Sequence, residues 1–173
     1  MNIFMIHENP VLSARAMTNR HILKMVIESA QLLSTAHRVL DGFPEKNGRW
    51  TTYKLKDPFR EEALYKSTHY NHPCAVWVRE SQDNYYWLYT HFLALCQEYR
   101  NRYGKIHETE HKLGHALKRY PENLTKRGFT FPALAMPDQY KVDSYVQSYR
   151  NYYEAEKLKN SEDIQRYKEV LEL

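Results

Sequence analysis

A helix that is apolar on nearly every side must run through the middle of a fold, and residues 20–40 have that character. Ile22, Leu23, Met25, Val26, Ile27, Ala30, Leu32, Leu33 and Ala36 cover most of a helical surface. What remains is a narrow polar line: His21, Lys24, Glu28, Gln31, Thr35 and Arg38. The steps between them alternate three and four, so all lie along one face. Such a helix is packed on several sides, and its seam faces either solvent or a polar cavity. In the first case Lys24 and Glu28 form an ordinary i,i+4 pair, contributing about 0.3–0.5 kcal/mol. In the second, His21, Lys24, Glu28 and Gln31 line a cleft, and Glu28 is placed for acid–base chemistry.

The remainder predicts a single all-α domain over residues 1–173, with this long N-terminal helix at its centre. "MNIFMI" is a short apolar start, extended or tucked against the core. Pro10 and Ser13 open the long helix, read as Val11 to Leu40, and Asp41-Gly42 closes it. Residues 43–68, with Pro44, Gly48 and Pro58, read as a loop holding at most a short helix. Asn71-His72-Pro73 is a turn leading into one or two helical turns. Ser81 caps a second long helix, which stops at Gly104 after Tyr103. A third helix is expected over Ile106–Lys118, an irregular stretch with three prolines follows, and two helices begin near Asp143 and Ser161.

The chain carries a formal net charge of +4, with 15 Tyr, 3 Trp and 6 Phe. Cations meet phosphates and rings stack on bases, so this composition fits a DNA or nucleotide partner. No apolar run is long enough to cross a membrane, and the start lacks the pattern of a secretion signal. Two cysteines, Cys74 and Cys96, do not make a disulfide framework, and the expectation is reduced thiols in a cytoplasm.

Candidate phosphate contacts are Lys24, Arg38, Lys66, His72, Arg79, Arg102 and Lys105. His107, His111 and His115 recur at helical spacing, and His69, His72 and Cys74 cluster, but neither group has a recognised zinc spacing. No metal or other cofactor is expected. Cys74 reads as a buried small residue rather than a nucleophile. Trp77 and Trp87 read as core.

"HILKMVIE" sets Glu28 seven residues after His21, "NHPCAVW" supplies a His-Pro turn, and "WLYTHFLALCQEYRNRYG" has Glu98, Arg102 and Gly104 near its end. In these features the chain resembles the phage pyrimidine-dimer DNA glycosylase, also called endonuclease V. It is similar as well to a set of small proteins of large tailed phages that share an opening like "MNIF" and blocks like "ESAQLLSTAHRVLDG". The likeness covers roughly residues 1–105. It implies a compact helical fold, DNA as substrate, and Glu28 as the catalytic carboxylate with His21 beside it. It also implies an N-terminal amine that attacks the deoxyribose C1′ as the base leaves. The imine so formed then lets a carboxylate promote strand elimination.

One position departs from that pattern. The family exposes a small residue after its initiator Met is removed, whereas Asn2 is large enough to prevent removal. The amine then belongs to Met1, shifted by one residue. Either Met1 is the nucleophile in a displaced geometry, or the lyase step is lost and Glu28 works with water. The expected function is a DNA N-glycosylase/AP lyase acting on a damaged or modified base. The alternatives are a binding protein on the same scaffold and an enzyme acting on free nucleotides.

Overall fold

The computed structural model describes residues 1–172, the Asn47 side chain excepted. Eight helices and one hairpin surround a single hydrophobic cluster that runs from Ile3 to Val170. The long helix expected from residue 11 onward is two helices. α1 spans Pro10–Arg15 and is capped by Asn9, whose side chain accepts from the amides of Val11 (2.8 Å) and Leu12 (3.3 Å). α2 spans Asn19–Asp41 and is capped by Thr18, which accepts from the His21 amide (3.2 Å). The break between them is held from a distance: the Met17 carbonyl accepts from Arg102 (2.8 Å), and the Thr18 amide donates to the Tyr153 hydroxyl (2.9 Å).

The fold is mostly helical but not all-α. Residues 43–68, expected to be a loop, hold two antiparallel strands, β1 (Phe43–Asn47) and β2 (Trp50–Lys54), and a short helix α3 (Pro58–Ala63). Phe43 faces Lys54 and Asn47 faces Trp50, leaving a two-residue turn in which Gly48 takes φ 61°. Gly42 ends α2 for a different reason. Its φ is −93°, but a Cβ there would collide with the Arg38 carbonyl as the chain folds back beside Lys54.

α4 (Pro73–Val78) and α5 (Gln82–Tyr103) follow as the sequence predicts. Ser81 caps α5 through the Asn84 amide (3.1 Å), and Gly104 closes it in the left-handed region at φ 67°. α5 lies against both α1 and α2. The third expected helix is shorter than foreseen: α6 covers Glu108–Leu113, and Ala116–Lys118 is a single 3₁₀ turn. His115 therefore lies beyond the end of α6, and the expected stripe of three histidines does not form on one helix. α7 (Tyr145–Glu156) and α8 (Ser161–Leu171) come last, and among the described residues no helix is long and apolar enough to cross a membrane.

Trp77 and Trp87 are core, with indole N–H groups satisfied by the carbonyls of Thr130 (3.1 Å) and Glu8 (2.7 Å). Cys74 is fully buried, and burial pushes its thiol up to about 12, so no thiolate is offered near neutrality.

Candidate active site

The seam on α2 is covered along most of its length, and what covers it differs from end to end. At its middle lies Glu28, whose side chain is 12% exposed. The first residues of the chain run back over it. Glu28 Oε2 accepts from the Asn2 amide (3.1 Å) and lies 3.9 Å from the Met1 nitrogen, while Oε1 pairs with Lys24 Nζ at 3.2 Å. Three nitrogen groups thus converge on one largely covered carboxylate.

The N-terminal segment is held there tightly. Asn2 is buried: its side-chain amide donates to the Ala135 carbonyl (2.7 Å), and its Oδ1 accepts from the amides of Ile3 (2.7 Å) and Phe4 (3.1 Å). This Asx-type turn forces Phe4 to φ 43°. Among the described residues only Phe4 and His69 are non-glycines with positive φ. Backbone strain of this kind costs about 1–3 kcal/mol and tends to cluster at functional sites.

His69 belongs to the turn that leads into α4. His72, in the same turn, caps α4 by accepting from the Cys74 amide at Nδ1 (3.2 Å). Burial lowers the His72 pKa, and the Met1 amine and His69 lower it further against the pull of Glu28. His72 therefore sits within the field of both the amine and the carboxylate, which brings the His-Pro turn near them.

His21 lies two turns before Glu28 and faces an adjoining cleft rather than Glu28 itself. The cleft has a volume of about 360 Å³ and is lined by His21, Arg20, Lys24, Lys157, Lys159 and Asp163, among others. The imidazole stacks on Phe4 (centroids 4.7 Å apart), and its Nδ1 lies 2.7 Å from the Tyr153 hydroxyl. That hydroxyl also accepts from the Thr18 amide, so it ties the imidazole to the residue that caps α2. Burial, then Lys157 and Lys24, lower the His21 pKa to about 4, and the ring is neutral at physiological pH. Lys24 reaches both the cleft and Glu28 and links the two.

At the C-terminal end of the seam Thr35 exchanges hydrogen bonds with the backbone of Thr68. Arg38, a candidate phosphate contact, is fully buried, and all five of its N–H groups are used. Nε donates to the Tyr65 carbonyl, Nη1 to the Tyr53 carbonyl and the Glu61 carboxylate, and Nη2 to the carbonyls of Glu61 and Leu64. Arg102 is likewise saturated by Glu98, Asn19 and the carbonyls of Met17 and Arg15. Neither arginine has a donor left for a phosphate, and both are corrected to structural ties.

Arg79 staples the His-Pro turn through the carbonyls of Tyr70 and Ala75. Lys66 is exposed and paired with Glu61 (2.6 Å), and Lys105 is exposed past the end of α5. The structure does not gather these three around Glu28. It instead supplies Arg20, Lys157 and Lys159, which the sequence did not single out. The two lysines come from the end of α7 and the loop after it, and no local motif marks them.

Among the described residues no group of three or more His, Cys, Asp or Glu side chains is arranged to hold a metal ion.

No curated protein sequence and no solved structure matches the chain. The family model for pyrimidine dimer DNA glycosylase matches residues 1–111. That span includes the N-terminal segment, all of α2, the His-Pro turn and α5. It covers well over half of the 173 residues, so the chain belongs to the pyrimidine dimer DNA glycosylase family.

Proposed function

We propose that the protein is a DNA N-glycosylase with a coupled lyase step, acting on a damaged base in duplex DNA. In this reading the Met1 α-amine is the nucleophile and Glu28 is the carboxylate that serves it. One observation carries the reading: Glu28 lies 3.9 Å from the Met1 nitrogen, within a helix otherwise built for the core. The Asn2 nitrogen is closer, at 3.1 Å, but it is a peptide amide and not nucleophilic. It serves to orient the carboxylate.

The chemistry follows from that pairing. An α-amine is intrinsically less basic than a lysine side chain and so needs less activation to act as a nucleophile. The neutral amine adds to C1′ as the C1′–N bond breaks and the base leaves with the bonding pair. Positive charge develops on the sugar in this step, and a carboxylate nearby stabilises it. Loss of the amine proton and ring opening give an imine. The imine acidifies C2′, whose proton is taken by a base while the C3′ phosphate departs and the strand breaks. Glu28 is the carboxylate within reach for these transfers.

The target nucleotide must leave the stack to present C1′. Arg20, Lys24, Lys157 and Lys159 supply positive charge in the adjoining cleft for the backbone that does so, and Lys24 joins that cleft to Glu28. The neutral His21 ring adds a polar group at the cleft whose charge state does not change between about pH 5 and 9.

The family makes a pyrimidine dimer the first substrate to try. The test is incision of ultraviolet-irradiated against untreated duplex by the wild type and Glu28→Gln. Incision confined to irradiated duplex and lost in the variant is the expected result. Equal incision by both proteins removes Glu28 from the chemistry.

A further inference from the structure

The ribbon of β1 and β2 has no part in the site just described. It is anchored at the C-terminal end of the α2 seam: Arg38 Nη1 holds the Tyr53 carbonyl (2.9 Å), and the Tyr53 ring meets Tyr70 edge-on at 5.8 Å. Beyond that anchor it stands in solvent. Residues 43–56 hold Lys46, Arg49, Lys54 and Lys56 against Glu45, a net charge of +3. Lys54 takes up Glu45 at 3.3 Å, and Lys56 lies over the Phe43 ring at 4.7 Å. Lys46 and Arg49 are exposed at the turn and have no acidic partner among the described residues.

Beside Arg49 is Trp50, 72% exposed, whereas Trp77 and Trp87 are 2% and 7% exposed. The least covered tryptophan among the described residues thus sits next to a cluster of positive charge. Cations and an aromatic ring together match a nucleic-acid backbone with its sugars and bases.

We propose that this ribbon is a second DNA-contacting element. Lys46 and Arg49 pair with phosphates of the duplex, and Trp50 packs against a neighbouring sugar or base. A two-stranded ribbon is of a width that the major groove admits. Arg38 lies ten residues beyond Glu28, about 15 Å along the helix axis, and the ribbon rises from the same face. DNA advances about 3.4 Å per nucleotide, so the ribbon meets the duplex roughly four or more base pairs from the target. That placement beside a lesion rests on the glycosylase reading; the affinity of the ribbon for duplex does not.

Trp50 reports on the proposal directly, because among the described residues it is the one tryptophan open to solvent. Acrylamide quenching of the wild-type protein is measured with and without an undamaged 20-base-pair duplex, binding being followed independently by anisotropy of a labelled strand. The expected result is a several-fold drop in the quenching constant at saturating duplex, absent in Trp50→Phe. The double variant K46A/R49A is expected to bind at least tenfold more weakly at about 0.1 M salt. Two lost phosphate contacts should also make the slope of log K against log salt shallower by about 1.8.

Unchanged quenching at saturating duplex, or an unchanged salt slope, overturns the proposal. So does a failure to bind duplex, or protection of Trp50 by anionic lipid vesicles in place of duplex. Protection of Trp50 without incision of irradiated DNA leaves the ribbon standing and removes the glycosylase reading. Normal incision with Trp50 still open to acrylamide does the reverse.

Discussion

The two ends of one polar seam on α2 have opposite characters. At Arg38 every donor is matched, exposure is zero, and the partners are mostly backbone carbonyls. The remaining partner, Glu61, is pushed up by burial but brought down to about 2 by the Leu55 amide, Lys66 and Arg38. At Glu28 the carboxylate touches an amide, an exposed lysine and the Met1 nitrogen, and its side chain keeps some exposure. A charge whose bonds are all taken holds structure together. A charge held by groups that can be displaced or react is available for chemistry. The seam alone does not say which is which; the partners do.

The largest expected effect comes from the open end. Glu28→Gln keeps the shape and the capacity to accept from the Asn2 amide but removes the charge. Turnover on irradiated duplex should fall by about 10²–10⁴-fold, while DNA affinity holds or rises because a negative charge near phosphate is gone. A loss of less than about tenfold would place Glu28 with Arg38, as structure.

The closed end should respond in stability instead. Arg38→Ala leaves the Glu61 carboxylate and four carbonyls without their donor, and breaking a buried pair of this kind costs about 3–5 kcal/mol. Urea unfolding reads this, and kcat of the fraction that remains folded should be near that of the wild type. A variant that unfolds like the wild type would mean that water replaces the guanidinium at no cost.

Both ends contribute to acid sensitivity. His21 is lowered to about 4, by burial and then Lys157 and Lys24, and His37 to about 4, by burial and then Arg60. Each folded-state pKa lies below the ordinary value of 6.5. The unfolded chain therefore binds more protons between those limits, and stability falls as pH drops from 6.5 towards 4. Each histidine contributes a slope of up to about 1.4 kcal/mol per pH unit in that window. Glu61 adds its own loss only below 4.5, as pH falls towards its folded value of about 2. Unfolding free energies at pH 7 and 5.5 should differ, and His37→Gln should reduce the difference by one proton's share. Equal stabilities at the two pH values would contradict the neutral, buried state of both rings.

The smallest effect separates cations that line the cleft from saturated ones. Lys157→Ala and Lys159→Ala should each make the salt slope of duplex binding shallower by about 0.9, whereas Arg102→Gln should lower stability and leave the slope alone. A slope that moves with Arg102 and not with the lysines would exchange their roles.

Much of the helical frame is legible in the sequence because it is written locally: Ser81 and Gly104 bound α5, and the three–four spacing marks the α2 seam. The break at Ala16–Thr18 is not, because it is held by Arg102 and Tyr153, far along the chain. The hairpin was within reach. Trp50, Thr51, Thr52 and Tyr53 are aromatic and β-branched, and Asn47-Gly48 is a turn signal, but Pro44 and Gly48 read more readily as loop. Glu28 and the N-terminal segment were legible through spacing and family likeness. The saturation of Arg38 and Arg102 was not, because most of their partners are carbonyls, which every residue has and no residue type announces. Lys157 and Lys159 reach the site only through the docking of α7 against Phe4 and His21, a contact between the two ends of the chain.

The account depends most on the amine beside Glu28. Wild-type protein is mixed with duplex DNA containing an abasic site, reduced with borohydride, digested and mapped by mass spectrometry. A covalent adduct on the peptide that begins at Met1, formed far more slowly by Glu28→Gln, is the predicted result. An adduct on an internal lysine peptide, or none with a protein that demonstrably binds the duplex, would contradict it.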